Sequence, residues 1–221
     1  MLEIIAATVE EATAAERAGA DRLELVSALS EGGLTPSYGL IRQVLSSVEI
    51  PVHVLVRPHS KSFVYSKADQ ETIITDIDLI RELGAAGIVV GSLTADGRVD
   101  EGFLGRIIKH KGDLSLTFHR AIDSSRDILE AAEVLADFPE VDRILTSGGH
   151  ATALEGQAVI AQLIEQNPDL IVLPGSGITV ERAEELLKAT QATELHVGSA
   201  VLVDGQVDAD KVAALKQLLA R

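Results

Sequence analysis

Short β-branched runs alternate with helical stretches eight times in 221 residues, and this alternation predicts an α/β fold, a single (β/α)8 TIM barrel filling residues 1–221. Each unit is roughly 27 residues long, which suits a closed barrel. The competing architecture, an open doubly wound sheet, normally carries a glycine-rich fingerprint after its first strand. Ala6-Ala7-Thr8-Val9 holds no glycine.

Taken in order, strands are expected at 2–6, 22–26, 52–57, 87–90, 114–118, 143–146, 170–173 and 194–197. Each is a run of four to six mainly apolar residues, the signature of a strand covered on both faces. The helices expected between them lie at 9–18, 37–47, 67–83, 100–110, 125–136, 153–166, 180–189 and 208–219. Gly19 and Gly84 follow two of them as stop signals, since glycine tolerates positive φ. Pro36 stands at a first-turn position, with Thr35 as the expected cap. The longest connection, 58–67, is a candidate lid. No linker or charge run separates a second domain.

Composition narrows the function. The formal net charge is −15 and the pI about 4.7. A nucleic-acid binder needs a basic stripe to neutralise phosphates, and an anionic membrane surface needs the same, so neither is expected as a partner. No apolar run approaches the ~20 residues of a bilayer span, and no secretory leader is evident, so the expected location is the cytoplasm. There is no cysteine and only one methionine, Met1. Thiolate chemistry is therefore absent.

Alternate side chains of a strand share a face, and a barrel interior is normally apolar. Several of these strands instead place charges in register: Glu3 on the first, Arg22 and Glu24 on the second, His53 and Arg57 on the third, Thr117 and His119 on the fifth, and His196 on the eighth. Carboxylate, imidazole and guanidinium together suit proton transfer beside an anion. In this reading Glu24, Glu3 and His119 are the acid–base candidates, with Arg22, Arg57, Arg120, Asp123, Ser147 and His196 around the ligand. A structural ion-pair network inside the barrel is the alternative for the same residues. The turns after strands seven and eight hold Gly175, Gly177, Gly198 and Ser199, whose amides could meet an anion where barrels often bind phosphate. Tight βα turns alone would also explain these glycines. None of the six histidines forms a short-spaced pair on one helix. A metal site from His119, His196 and Glu24 across strands is the one geometric option.

Seven ordered blocks carry a family resemblance: Leu2-Glu3-Ile4, Gly19 to Leu25, Gly32-Gly33-Leu34-Thr35-Pro36-Ser37, Val56-Arg57-Pro58, Gly91 to Thr94 with Asp96-Gly97, Thr117-Phe118-His119-Arg120-Ala121 with Asp123, and Arg143 to Gly148. Across nearly its whole length the chain resembles the copper homeostasis protein CutC family. The resemblance implies a cytoplasmic (β/α)8 barrel and copper handling or binding. Many members carry cysteines where this chain has Ile5 and Val26, and the 59–62 segment His-Ser-Lys-Ser also departs from the family pattern. Copper(I) prefers thiolate and thioether ligands, so a cysteine-based site is excluded here. Three readings follow: a copper-binding protein, an enzyme acting on a small anionic or phosphorylated metabolite, and a silent barrel that binds a partner or forms homo-oligomers.

Overall fold

A computed structural model describes residues 1–220. Eight parallel strands run β1 (Leu2–Ala6), β2 (Arg22–Leu25), β3 (Val52–Leu55), β4 (Gly87–Val90), β5 (Ser115–Phe118), β6 (Arg143–Thr146), β7 (Ile171–Pro174) and β8 (Leu195–Val197). Their order in the sheet is β7-β6-β5-β4-β3-β2-β1-β8, so β8 returns to pair with β1. Only the β7–β8 seam lacks a ladder among the described residues, and the sheet is a nearly closed (β/α)8 barrel. The helices are α1 (Val9–Ala18), α2 (Tyr38–Leu45), α3 (Lys67–Glu82), α4 (Glu101–Lys111), α5 (Ile128–Ala136), α6 (Gln157–Gln166), α7 (Val180–Thr190) and α8 (Ala209–Leu219).

Helix starts follow side-chain caps. Thr8, Ser66, Asp100, Asp127 and Asp208 each accept an amide hydrogen bond from the first turn of their helix. The second helix begins later than expected, because Ser37 caps it, while Thr35 Oγ1 accepts from the Arg57 amide at 2.8 Å and ties the loop to β3. The fifth helix also begins later than expected, because Asp127 caps it, and residues Arg120–Ser124 form a separate 3-10 turn before it. A two-strand hairpin after β8, β9 (Leu202–Val203) with β10 (Gln206–Val207), was not foreseen.

Two cores result from strand alternation. Leu2, Ile4, Leu23, Leu25, Val54 and Ile88 point outward and meet the helices. On α3 the buried stripe is Ile73, Ile77 and Ile80, at helical spacing, each contributing about 1.5–3 kcal/mol. Inside the barrel the apolar cluster is small: Val26, Leu55 and Val89, with Ile5 and Ala7. Apart from leucines such as Leu145 and Leu173, much of the remaining interior is polar, and it includes His53, His119 and His196, all buried. Glycines on neighbouring strands make room for these rings. A Cβ on Gly91 would sit 2.6 Å from His119 Nδ1, and one on Gly175 would sit 2.6 Å from Leu145 and 3.1 Å from His196.

Candidate functional site

The deepest charged layer lies at the N-terminal end of the barrel. Arg22 donates to Glu3 at 2.5 Å and to Glu194 at 2.7 Å. Arg143 reaches Glu194 at 3.0 Å and Ser115 Oγ at 3.0 Å, and Ser115 in turn donates to Asp142. Met1 Sδ accepts from Arg22 Nη1 at 2.7 Å. This layer is a closed ion-pair network. Arg22, expected near a ligand, does not line the mouth cavity, and its donors are spent on Glu3, Glu194 and Met1.

One step toward the other end, Glu3 links the network to the mouth. Its second oxygen pairs with His196 Nδ1 at 2.7 Å, and His196 Nε2 faces Glu24 at 3.7 Å. Burial alone would raise the Glu3 carboxyl, but the His196 hydrogen bond and the nearby cations outweigh it and hold Glu3 well below the usual range. Burial would likewise depress His196, yet the charges of Glu24 and Glu3 lift it above the usual imidazole value. Glu24 has no hydrogen bond among the described residues. Burial pushes it up to about 7, against the pull of His196 and with help from the Glu3 charge. A carboxyl half-ionised near neutrality can take up or release a proton at little cost.

Glu24 and His196 form part of the wall of a cavity of about 270 Å³ at the C-terminal mouth. Ile5, Val26 and Leu55 supply its apolar wall, so the two positions where the family resemblance implied cysteine, Ile5 and Val26, are apolar cavity surface. His119 stands on another side, packed on Phe63 with ring centroids 5.1 Å apart. Its Nδ1 accepts the Ala121 amide at 3.1 Å, which places the proton on Nε2, and Nε2 has no partner. Burial, then the Arg57 charge, lower His119 to about 3. It is a fixed neutral donor.

Arg57 lines the cavity but is also a clasp. Its Nη1 donates to the carbonyls of Glu31, Gly32 and Gly33 at 3.1, 3.3 and 3.2 Å, and its guanidinium lies 4.8 Å over Phe63. Gly33 has φ +89°, and a Cβ there would meet Leu55 at 2.7 Å, so the loop needs glycine to approach β3. Phe63 belongs to the 58–67 connection, which thus forms one wall of the site.

Of the four expected anion-facing amides, three are free. Gly177, Gly198 and Ser199 line or border the cavity and donate no hydrogen bond among the described residues. Gly175 differs: its amide is taken by Thr146 O at 2.9 Å, and its role is to make room for His196. Asp123 and Ser147 are also placed elsewhere. Asp123 accepts from Thr146 Oγ1 (2.5 Å), Ser147 N (3.1 Å), Ser147 Oγ (3.0 Å), Gly149 N (3.1 Å) and Arg120 Nε (2.8 Å). This is a saturated latch between the 120–124 turn and the loop after β6, with no lone pair left for a ligand. Of the group, Arg120 reaches the cavity wall. Phe63 is one of the cavity residues that sequence reasoning passed over, with Leu29, Leu145 and Ile178; its position in the longest loop was the available signal. Among the described residues no three His, Asp or Glu side chains are arranged to hold a metal ion, so the cross-strand metal site of His119, His196 and Glu24 is not formed.

Fold and cavity together define the class: a (β/α)8 barrel with a polar cavity at its C-terminal mouth. The sequence profile of the CutC family matches residues 1–201, and the chain belongs to that family. A human relative named copper homeostasis protein cutC homolog is 43% identical over 197 residues, covering 89% of this chain and 72% of its own. A crystal structure of a copper homeostasis protein CutC from Streptococcus agalactiae superposes with a TM-score of 0.85 at 28% identity, over 91% of this chain and 99% of that one. A phosphoribosyl anthranilate isomerase from Thermococcus kodakaraensis shares the fold, with a TM-score of 0.66 at 20% identity, over 99% of this chain and 97% of its own.

Proposed function

We propose that this chain serves copper homeostasis, as its relatives' names imply, and that it does so in the cytoplasm by binding and transforming a small anionic metabolite at the barrel mouth. The observation that carries this reading is a pair of cavity residues with unmet hydrogen-bonding capacity: Glu24, whose carboxyl has only the His196 ion pair at 3.7 Å, and His119, whose Nε2–H has no partner. Buried polar groups are normally satisfied, and the exceptions call for a ligand or a catalytic role. Arg57, Arg120 and the free amides of Gly177, Gly198 and Ser199 favour an anion.

Direct copper coordination fits poorly. The cavity offers no sulfur, and Met1 Sδ lies at the opposite end against Arg22. His119 Nδ1 is occupied by the Ala121 amide. The link to copper in this reading is metabolic.

Calorimetry with inorganic phosphate, copper(I) and copper(II) tests the reading. Phosphate binding is expected, and Gly177→Ala should weaken it at least tenfold, because Gly177 has φ +65° and a Cβ would overlap Thr152. Cooperative unfolding of the variant shows that the fold survives. Stoichiometric copper binding that disappears in His196→Ala, with no phosphate binding, would replace this proposal with a coordination site.

A further inference from the structure

The cavity narrows the chemistry by the groups it lacks. The chain has no cysteine, and no lysine lines the cavity, so neither a thioester nor a Schiff base can form there. Of the two serines on the wall, Ser176 Oγ is spent on the Ala151 carbonyl at 2.9 Å, and Ser199 Oγ has no histidine or carboxylate beside it as a base. Thiol, amine and base-activated hydroxyl nucleophiles are thus without an equipped residue on the wall. What the cavity does hold is one carboxyl without a hydrogen bond, one imidazole fixed as a neutral N–H donor, and a positively lined wall with free amides.

We infer that the site removes a proton from the carbon next to a carbonyl in a small phosphorylated hydroxy-carbonyl compound, with Glu24 taking the proton and His119 donating its Nε2–H to the carbonyl oxygen. The inference rests on the proposed function and names its reaction. The C–H bond breaks, its electron pair becomes the C=C bond of an enolate, and the carbonyl π pair moves onto oxygen. The protonated Glu24 returns its proton to the same carbon, which restores the original carbonyl, or, once the proton of the adjacent hydroxyl has moved to the enolate oxygen, to the neighbouring carbon, which leaves the isomeric carbonyl. No oxidant, reductant or co-substrate is consumed.

Each group suits its part. A neutral imidazole whose Nε2–H has no protein partner can stabilise a developing oxyanion by a hydrogen bond, without a change of protonation. The Ala121 amide on Nδ1 is what fixes that tautomer. Glu24 sits near its own midpoint at neutral pH, the condition under which a single base can both take and return a proton. His196 and Glu3 are positioning residues: they orient Glu24 and set its charge without reaching the wall opposite. Ile5, Val26 and Leu55 keep the reacting carbon beside apolar surface, which limits water at the enolate.

The test is hydrogen exchange at carbon. Dihydroxyacetone phosphate is incubated with the full chain in D₂O, and loss of its carbon-bound proton signal is followed by NMR against a protein-free blank, with binding measured in parallel by calorimetry. Exchange above the blank is expected, reduced at least a hundredfold in Glu24→Gln. His119→Gln, which keeps an N–H donor, should retain more exchange than His119→Phe, with both variants checked by thermal unfolding. Binding that Gly177→Ala weakens, with no exchange above the blank, overturns the inference and leaves the anion site standing. Exchange that persists in Glu24→Gln also overturns it. Failure of the probe and of phosphate to bind at all removes both the inference and the proposed function.

Discussion

The two ends of the barrel interior use the same residue types to opposite effect. At the N-terminal end, Arg22, Glu3, Glu194, Arg143, Ser115 and Asp142 close on one another until the charges are paired. At the C-terminal end, Glu24 has one distant ion pair at 3.7 Å, and His119 Nε2 has none. A saturated network holds strands together. An unsatisfied one carries a desolvation cost of about 1–3 kcal/mol per group, which a fold retains when a ligand recovers it. Charge inside a barrel therefore does not mark function by itself; unmet hydrogen-bonding capacity on a cavity wall does, whereas His53 Nδ1 and Thr117 Oγ1 are also without partners but do not line the mouth cavity.

This contrast can be broken from either side. The largest effect is expected at the closed end. Arg22→Met leaves Glu3 and Glu194 buried without their shared cation and should cost about 3–5 kcal/mol in urea unfolding. A loss below 1 kcal/mol would mean the network is not the clamp described. Asp123→Ala comes next. It removes the acceptor of five donors that join two loops, and should cost about 2–3 kcal/mol.

Glu24→Gln should change stability least below pH 4.5, where Glu24 is neutral like the glutamine that replaces it, and its pH dependence gives the sharper contrast. The folded-state value of Glu24 is raised to about 7 from an ordinary 4.5, so the folded chain binds the proton more tightly than the unfolded chain. The stability that Glu24 contributes is complete below pH 4.5, falls between 4.5 and 7, and is gone above 7. The stability difference between wild type and Glu24→Gln should therefore fall across that window as pH rises. His119 runs the other way: its folded value of about 3 lies below the ordinary 6.5, so its contribution is present above 6.5 and lost as pH falls toward 3. That second trend is common to both proteins and cancels in the difference.

Most of the barrel was legible in the sequence because two periods, 2 and 3.6, alternate eight times. Boundaries were less so. Thr35 and Ser37 are both good caps by chemistry, and only the position of the Arg57 amide decides that Thr35 serves β3. The charged interior was legible as a face but not in depth. Strand alternation puts Arg22 and Glu24 on one side, yet Arg22 meets Glu194, 172 residues away, only because β8 returns to β1. The same holds for Asp123, whose donors come from the loop after β6. Gly175 read as an anion-facing amide because its turn resembles that of Gly177; its partner Thr146 and the His196 ring beside it are cross-strand facts.

The central claim is that the mouth holds one carboxyl poised near neutrality. Carbon-13 NMR of glutamate-carboxyl-labelled protein, titrated from pH 4 to 9, tests it directly. The account predicts one glutamate signal with its midpoint close to 7, absent from Glu24→Gln and displaced when phosphate is added. If every glutamate carboxyl titrates below pH 5, Glu24 is an ordinary carboxylate and the mouth is not an acid–base site.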